Sequence, residues 1–360
     1  MKNKKIFTSE KDIDHILKFD PEVPATALKM SSMQPELLAP RNLPVIPWPA
    51  GLAPVAKPYT QTPNPNSPLP QADVLVVTWT VAEALALSDV LTPGSRSKTD
   101  WYSYTHNWLS AFKPVIKKGA PALEENRLGL WFRTQIGNKS VVCMKSELHF
   151  ARDGAKMPVK DLWLQIIDEV KPSLVITTGT AGGIGPNIEL GDVLVSGKVR
   201  FDCKKTFAKQ PFASQEFVCN KAPQLGKVSQ ANTDLMGITT SRLPQSKRTA
   251  QIVTKASAVY KMPEVVTTDF FAFDDSTNYF GLQSLGLTVE MGDAVLGLAC
   301  DSLGASAPAW CAIRNASDPQ IDGTLSYKDQ VAMAGRIYEK YGYWTTVNSA
   351  IACWAVIAGM

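Results

Sequence analysis

Carboxyl groups follow several of the apolar runs in the sequence, at the points where those runs end. Glu83 comes shortly after VLVVTW (74–79), Glu290 ends LTVE, and Asp318 ends APAWCAIRNASD (307–318). In an open α/β sheet, ligands bind beyond the carboxyl ends of the strands. Carboxyl groups at that edge are therefore candidates for proton transfer or for holding a ligand.

Each of these residues also has a purely structural interpretation. Glu83 fits the first turn of a helix, where the macrodipole favours an acid. Asp318 followed by Pro319 is a common turn or capping signal. The phenylalanines of TTDFFAF, around Phe271, are more typical of a core than of a ligand platform. Taken one at a time, the residues leave both interpretations open.

A second candidate is the small-residue segment GTAGG (179–183), which lies between two apolar runs. Glycine weakens strands and helices, so such a cluster marks either a tight turn or a close approach of a ligand to the backbone. A dinucleotide fingerprint is excluded, because the third position from Gly179 is Ala181. A phosphate-binding G-x-x-x-x-G-K-[ST] loop is excluded too, because no Lys-Ser or Lys-Thr pair follows.

Hydrophobic patterns place these candidates in an alternation of strands and helices. β-Branched runs predict strands and 3.6-residue periodicity predicts helices. Such alternation is typical of a layered α/β domain with a largely parallel sheet. The predicted strands are 74–79, a hairpin over 131–146 that turns at Gly137-Asn138, one strand on each side of a Gly-rich loop within 175–196, then 265–273, the start of 287–304, and 307–318; the predicted helices are 81–91, 157–170, the second part of 287–304 with Gly304 at its C-cap position, and a pair over 326–358.

The chain divides into two parts at about residue 72. Prolines recur over 35–72, which excludes a helix there and predicts an extended arm. We therefore expect an N-terminal extension with a Pro-rich arm over 1–72 and one α/β domain over 73–360. Within that domain, residues 95–127 are polar and aromatic, and their structure is ambiguous.

Composition narrows the class of protein. Of the 360 residues, 45% are hydrophobic and 19% are charged, as in an ordinary globular core. A net charge of +4 is too small at this length to indicate a nucleic-acid surface. The six cysteines lack C-x-x-C spacing and several lie in apolar runs, so we expect reduced core thiols and neither a disulfide framework nor a zinc site. No metal ion or cofactor is expected.

The two ends of the sequence point to a soluble, cytoplasmic protein. The N-terminus, MKNKKIFTSEKDIDHILKFD, is charged and has no apolar h-region, so it is not a secretory signal. The C-terminal SAIACWAVIAGM is too short an apolar run to span a bilayer and predicts a buried closing helix. We therefore expect no membrane and no nucleic-acid partner.

Taken in order, the segments resemble the nucleoside phosphorylase and nucleosidase superfamily, and most closely the methylthioadenosine/S-adenosylhomocysteine nucleosidases. The resemblance covers about residues 73–345. It is carried by VVTWTVAEALAL, KSELHF, TTGTAGGIGPNIELGDVLVS, TTDFFAF, VEM and RNASD. It implies a three-layer α/β/α phosphorylase-like fold with a central twisted mixed sheet, and a homodimer or larger assembly.

The resemblance also implies a reaction, the hydrolysis of the N-glycosidic bond of a purine nucleoside or 5′-thio-nucleoside. In the resemblance, Glu83 occupies the position of the general base that activates water, and Asp318 that of the general acid that protonates the leaving purine. This division of labour between two carboxyl groups is that of sugar hydrolysis. Asp318 would have to be protonated near pH 7, which requires a poorly solvated pocket. Substrate contacts are implied for Thr180, Ala181, Gly182, Phe271, Ala272, Glu290, Met291, Asp293 and Ser317.

Two departures bear on the substrate. The phosphorylase branch carries arginines near the first strand end and before the Gly-rich loop, where this chain has Thr80–Ala82 and Thr177, so water is the expected nucleophile. The nucleosidases carry a ribose-binding glutamate where this chain has Gly292. Either Asp293 substitutes, or the sugar differs, or the protein binds a nucleoside without turnover.

The alternatives to a hydrolase are therefore a phosphate-dependent phosphorylase and a non-catalytic nucleoside-binding or sensor protein. Residues 95–127 and the N-terminal arm are both expected to reshape the 5′ side of the pocket.

Overall fold

A computed structural model describes residues 7–23, 42–223, 225, 229–244 and 250–360. The helices are α1 (Glu10–Lys18), α2 (Val81–Leu91), α3 (Pro121–Glu125), α4 (Pro158–Val170), α5 (Ser229–Met236), α6 (Asp293–Leu303) and α7 (Tyr327–Ala358). The strands are β1 (Val55–Ala56), β2 (Val74–Thr78), β3 (Tyr102–Tyr104), β4 (Gly129–Ile136), β5 (Lys139–Ser146), β6 (Leu174–Gly183), β7 (Val193–Ser196), β8 (Lys198–Phe201), β9 (Glu216–Val218), β10 (Ile252–Val253), β11 (Val265–Thr267), β12 (Thr288–Glu290) and β13 (Ala309–Asp318).

The strands form one mixed sheet with β6 at its centre. Along one edge of β6, β13 runs parallel to it from Leu174 to Gly182. Along the other edge, β2 pairs with residues 174–177, and β12 joins in the antiparallel direction at Gly182 and Gly183. In the described part of the chain, no strand pairs with residues 178–181 on that second edge. This interruption creates the opening in which the candidate site lies.

Helices cover both faces of the sheet. On one face, α2 packs against α7 in a core that includes Leu85, Val347 and Trp354. On the other face, α4 packs against α6 in a core that includes Trp163 and Val295. Because both faces are covered, all five residues of β2 are buried. The expected three-layer α/β/α fold with a mixed sheet is confirmed; the sheet is less parallel than the alternation of strands and helices predicts, because β4 and β9 pair in the antiparallel direction and β12 does so with β6.

Local sequence signals account for several elements. The helix predicted at 81–91 is α2, whose N-cap Thr80 and residue Glu83 form a capping box. The predicted hairpin is β4 and β5, joined through Gly137 at a φ of +56°. Gly304, also at positive φ, follows the last residue of α6 as predicted.

Three predicted elements differ in the structure. The pair of helices expected over 326–358 is a single helix, α7. Gly342 does not break it, because a Cβ there would lie 3.0 Å from the Tyr338 ring, so the glycine accommodates that ring. The strand expected over 265–273 ends at Thr267. The segment expected as a Gly-rich loop continues β6 through Gly183.

The end of β11 has a specific cause. The Asp269 carboxylate accepts hydrogen bonds from the backbone N–H groups of Lys204, Lys205 and Phe207 at 2.8 to 3.1 Å. Asp269 therefore fixes a neighbouring loop and turns the chain, so that the aromatic residues after it leave the sheet.

The described parts of the N-terminal extension lie on the domain. Trp48 packs against Trp354 with ring centroids 4.7 Å apart, and the Trp354 indole donates to the Leu52 carbonyl at 2.6 Å. Residues 1–6 and 24–41, which include Pro35 and Pro40 of the predicted arm, lie outside the described residues. The division at residue 72 stays a prediction.

The C-terminal run is buried within α7, as predicted. No helix in the described ranges is long and apolar enough to cross a membrane. All six cysteines are free thiols, and Cys219 is the one that is not fully buried.

Candidate active site

A small pocket lies where the second edge of β6 is open, between the N-terminus of α2, the ends of β12 and β13, and α1. Its cavity volume is about 60 Å³. It is lined by ten of the residues that the resemblance implies: Glu83, Thr180, Ala181, Gly182, Phe271, Ala272, Glu290, Met291, Ser317 and Asp318. The structure thus brings together residues that are spread over more than 230 positions of the chain.

Glu83 lies in this pocket on the first turn of α2, and 2% of it is exposed. Its Oε2 accepts hydrogen bonds from the Thr78 hydroxyl at 2.7 Å and from the N–H groups of Trp79 and Thr80 at 3.1 and 2.9 Å. Its Oε1 accepts from the N–H and hydroxyl of Thr180 at 2.8 and 2.6 Å. The carboxylate therefore takes the place of a neighbouring strand at the open edge of β6, while it also caps α2.

The environment of Glu83 favours its charged form. Burial alone would raise the pKa of this carboxyl, but the charge of Arg314 and the hydrogen bonds from Thr180, Thr80 and Thr78 outweigh it, so the pKa lies below its ordinary value. Glu83 is therefore ionised at neutral pH.

Gly179 explains how the carboxylate reaches the strand. Its φ is +141°, and a Cβ at this position would lie 2.5 Å from both Cδ and Oε1 of Glu83. No side chain fits between the strand and the carboxylate. The glycine of the small-residue segment is thus required by a close approach to its backbone, and the group that approaches is Glu83.

Asp318 lies at the end of β13, and 4% of it is exposed. The pairing of β13 with β6 shifts by one residue between Ala316 and Asp318, a bulge of the kind that redirects a side chain. The Ser317 hydroxyl donates to Asp318 Oδ1 at 2.9 Å. Burial raises the pKa of Asp318 to about 7, against a smaller opposing effect of the Ser317 bond. Asp318 is therefore a carboxyl group that holds a proton near neutral pH.

The backbone near Asp318 is also closely packed. A Cβ on Gly182 would lie 3.1 Å from Asp318 Oδ2 and 3.7 Å from the Ala272 carbonyl oxygen. Phe271 lines the same part of the pocket, and its carbonyl accepts a hydrogen bond from the Thr8 hydroxyl at 2.8 Å. This part of the pocket therefore combines an aromatic face, backbone carbonyls and a protonated carboxyl group.

Asp293 is the one implied residue that the structure does not bring into the pocket. Both of its carboxylate oxygens accept hydrogen bonds from the Arg314 guanidinium, from Nε at 2.7 Å and from Nη2. It is 1% exposed. The possibility that Asp293 substitutes for a ribose-binding glutamate is therefore not supported, because its carboxylate is already used.

Arg314 is a pocket residue that the sequence reasoning noted only as part of the RNASD segment. It is 2% exposed. Besides Asp293, its Nη1 lies 3.4 Å from the Thr180 carbonyl and its Nη2 lies 3.5 Å from Glu290 Oε2. Burial and the charge of Asp293 raise the pKa of Glu290 to about 8, although Arg314 opposes this. Arg314 thus lies between Asp293 and Glu290, and Glu290 retains a proton at neutral pH.

Trp79 also lines the pocket without having been predicted. It is 6% exposed, and its indole Nε1 has no hydrogen-bond partner among the described residues. A Cβ on Gly292 would lie 3.2 and 3.4 Å from Cζ2 and Cε2 of this indole. The Trp79 ring therefore occupies the space that a longer side chain at position 292 would need. The Arg314 guanidinium carbon lies 4.9 Å from the centre of the ring.

The N-terminal helix α1 closes the pocket. Ile16 and Leu17 line it, together with Tyr338 of α7. The Tyr338 hydroxyl lies 3.2 Å from the Ile16 carbonyl and 2.9 Å from the Thr80 hydroxyl. His15 Nε2 lies 2.5 Å from Glu339 Oε1. Nothing in the sequence alone indicated that α1 would reach the site, because the helix is short and is separated from the domain by the Pro-rich arm.

Within the described ranges, no group of three or more His, Cys, Asp and Glu side chains is arranged to hold a metal ion.

Comparison with known families agrees with this architecture. Residues 162–340 match the phosphorylase superfamily. The chain belongs to this superfamily, whose fold is the three-layer arrangement described above.

Individual relatives are more distant. The 5′-methylthioadenosine/S-adenosylhomocysteine nucleosidase of Listeria innocua is 29% identical over 89 residues, which cover 24% of this chain and 36% of that relative. The chain therefore matches only about a third of the length of this curated relative.

Solved structures were compared as well. The 5′-methylthioadenosine/S-adenosylhomocysteine nucleosidase from Neisseria meningitidis, in complex with methylthio-immucillin-A, is 16% identical with a TM-score of 0.48, over 80% of this chain and 99% of that one. The futalosine hydrolase of Helicobacter pylori is 13% identical with a TM-score of 0.45, over 79% of this chain and 97% of that one.

Proposed function

We propose that the protein hydrolyses the N-glycosidic bond of a purine nucleoside or nucleoside derivative, releasing the free base, with Asp318 as general acid and Glu83 as the base that holds the attacking water. The observation that carries this proposal is that one pocket holds two carboxyl groups in different protonation states, one ionised and one protonated. Glu83 has a lowered pKa, whereas the pKa of Asp318 is raised to about 7. Such divergent environments are typical of an acid and base pair.

The geometry supports these roles. Glu83 approaches β6 at Gly179 and Asp318 approaches it at Gly182. The two carboxyl groups therefore contact the strand at different points along its length, as expected for an acid and a base that act on different parts of one substrate. The Phe271 ring and the Ala272 carbonyl, near Asp318, are placed to hold the base.

The chemistry is consistent with a low pKa on Glu83. The transition state has oxocarbenium character, so the sugar carries positive charge before water has bonded to it. An ionised carboxylate stabilises that charge, and the water becomes strongly acidic only as its bond to carbon forms. Asp318 meanwhile donates its proton to the purine and removes the negative charge from the leaving base. Each proton transfer contributes on the order of 10²–10⁴-fold.

Water is favoured over phosphate as the nucleophile. A phosphorylase binds phosphate through guanidinium groups. In this pocket, Arg314 is buried, and its guanidinium group already donates hydrogen bonds to Asp293. The similarity to the nucleosidase of Listeria innocua also supports hydrolysis over phosphorolysis. A homodimer remains part of the proposal and is checked by the mass of the purified protein in solution.

The test is chromatographic detection of free base from adenosine, inosine, methylthioadenosine, S-adenosylhomocysteine and adenosine monophosphate, with and without phosphate. We expect release without phosphate, and a loss of about 10²-fold or more in Glu83→Gln and in Asp318→Asn. Strict dependence on phosphate would identify a phosphorylase instead. Binding without release from any substrate would identify a nucleoside-binding protein.

A further inference from the structure

A second and larger cavity adjoins the candidate active site. Its volume is about 450 Å³, within the range of small-molecule sites. Leu17, Trp79 and His149 line both cavities, so these side chains form a shared wall. The remaining walls come largely from α1 and from residues 97–127, together with the end of β5. We call this cavity the side chamber.

The side chamber lies at the sugar end of the pocket. The proposed base-binding residues, Phe271 and Ala272, line the active-site pocket but not the side chamber. Trp79, by contrast, lines both and donates its backbone N–H to Glu83. A nucleoside with its base at Asp318 and its sugar beside Glu83 would therefore direct a substituent of the sugar past Trp79. The exocyclic 5′ carbon is the position from which such a substituent extends.

The buried end of the side chamber holds two cations, together with the carboxylates that pair with them. Glu147 is 5% exposed and accepts hydrogen bonds from Arg127 Nε and Nη2 at 3.1 and 3.0 Å. Lys145, 7% exposed, donates to the other oxygen of the same carboxylate. Two cations thus share one buried carboxylate. Arg127 also contacts Glu125, a residue of the chamber lining whose side chain is 47% exposed.

The outer part of the side chamber is electrically balanced. Lys98 is paired with Asp20 and Glu22, and Lys18 with Glu124. These pairs are partly exposed, so their contribution is small. The less exposed cations of the side chamber, Lys145 and Arg127, are therefore those at the Glu147 end.

Unpartnered polar groups point to the same kind of ligand. Among the described residues, Ser97 Oγ, His149 Nδ1 and Trp79 Nε1 have no hydrogen-bond partner. These residues are 2%, 5% and 6% exposed, and all three line the side chamber. Buried polar atoms without partners cost free energy, which a ligand with several acceptor atoms would recover. An oxyanion offers several acceptors in a small volume.

We propose that the side chamber binds an anionic group, a phosphate or a carboxylate, carried on the 5′ carbon of the nucleoside, so that the preferred substrates have a negatively charged 5′ substituent. This inference rests on the proposed function for the orientation of the nucleoside. Lys145 and Arg127 supply the charge, and Ser97 supplies a hydroxyl donor. The neutral substituent of methylthioadenosine would leave these groups unsatisfied.

The experiment compares kcat/KM for base release from adenosine, methylthioadenosine, adenosine monophosphate and adenosine-5′-carboxylic acid. We expect at least about tenfold higher kcat/KM for one or both of the anionic substrates. Comparing adenosine monophosphate with adenosine-5′-carboxylic acid shows whether the site prefers a phosphate or a carboxylate. In Lys145→Gln, the ratio of kcat/KM for the preferred anionic substrate to that for adenosine should fall by about tenfold or more. Lys328→Gln, which removes an exposed lysine of α7, is the matched control and should keep the ratio.

Two further measurements distinguish an effect on anion binding from effects on protein stability and on catalysis. Ser97→Ala removes a hydroxyl that has no partner, so it should leave the thermal midpoint nearly unchanged and still lower the same ratio several-fold. Equal kcat/KM for charged and neutral substrates, in wild type and in both variants, would overturn the inference and leave the hydrolase intact. If no base is released but calorimetry shows adenosine monophosphate binding that Lys145→Gln weakens, the reaction is wrong and the anion site stands.

Discussion

At the scale of single residues, the protonation of two carboxyl groups defines the pocket. Glu83 receives five hydrogen bonds, which leave it ionised. Asp318 receives one from Ser317 and is otherwise buried, which leaves it protonated up to about pH 7. The difference arises because hydrogen-bond donors stabilise a carboxylate and burial without donors destabilises it.

These protonation states predict the pH dependence of base release. The active form has Glu83 ionised and Asp318 protonated. Above about pH 7 the protonated fraction of Asp318 falls tenfold per pH unit, so kcat/KM should fall with a slope of −1. On the acid side, the rate should fall only below the ordinary glutamate pKa of 4.5, because the pKa of Glu83 is lowered.

The control for this profile is Glu290, whose pKa is raised to about 8 and which therefore also titrates on the alkaline side. We expect Glu290→Gln to keep the decline above pH 7 and Asp318→Asn to remove it. A decline that survives in Asp318→Asn and disappears in Glu290→Gln would assign the acid to Glu290 instead. The measurement is the initial rate of base release across pH 4 to 10.

At the scale of elements, the site depends on how β6 changes partners. β2 leaves β6 after Thr177 and β12 joins it at Gly182. In the gap, a side chain from α2 satisfies the N–H of Thr180. The central strand of the sheet, β6, thus also lines the pocket.

A prediction at this scale concerns Gly179. Alanine there would place its Cβ 2.5 Å from the Glu83 carboxyl and at a φ of +141°. The displaced carboxylate should lower kcat by about 100-fold, since a shift of about 1 Å at a catalytic group costs that much. Gly185→Ala is the control, because Gly185 also has a positive φ, +81°, but open space at its Cβ position.

Steady-state kinetics and thermal unfolding distinguish the two effects of these variants. Gly185→Ala should lose some stability and keep kcat. If Gly179→Ala kept kcat as well, Glu83 would have no catalytic role.

The elements could be predicted from the sequence where the signal is local. VLVVTW followed by a capping box defines β2 and α2, and Gly137-Asn138 defines the hairpin. The ten implied residues that line the pocket were found through ordered family motifs. Predictions failed where the sequence carries no clear signal. The predicted helix pair is a single helix, in which the Tyr338 ring, one turn before Gly342, fills the space that a Cβ there would need. Trp79 and Arg314 could not be assigned, since their roles arise from packing against Gly292 and Asp293.

At the scale of the molecule, the two ends of the chain meet over the site. α1 is fixed to α7 through Tyr338 and Glu339, and to the domain through Arg152, which donates to Asp14 at 2.6 Å. The cavity volume of about 60 Å³ is smaller than that of a small-molecule site and holds a few water molecules. Because Ile16 and Leu17 of α1 form part of the lining, we predict that substrate binding moves α1 outward.

This movement predicts a pattern of hydrogen exchange. The amides of α1 should exchange faster than those of β6, because a short helix at the surface of the domain opens more readily than a central strand. Methylthioadenosine bound to Asp318→Asn, in which base release should be at least about 100-fold slower, is expected to speed exchange in α1, because the bound nucleoside holds the helix away from the pocket. Exchange measured by mass spectrometry that is the same with and without this ligand would show that α1 is not part of the binding event.

The closure by α1 also affects what an affinity measurement reports. If the closed form predominates, the apparent dissociation constant is the intrinsic constant divided by the fraction of molecules that are open. A change that weakens the contact between Tyr338 and Ile16 raises that fraction. Such a variant would gain apparent affinity for substrate without any new contact to it.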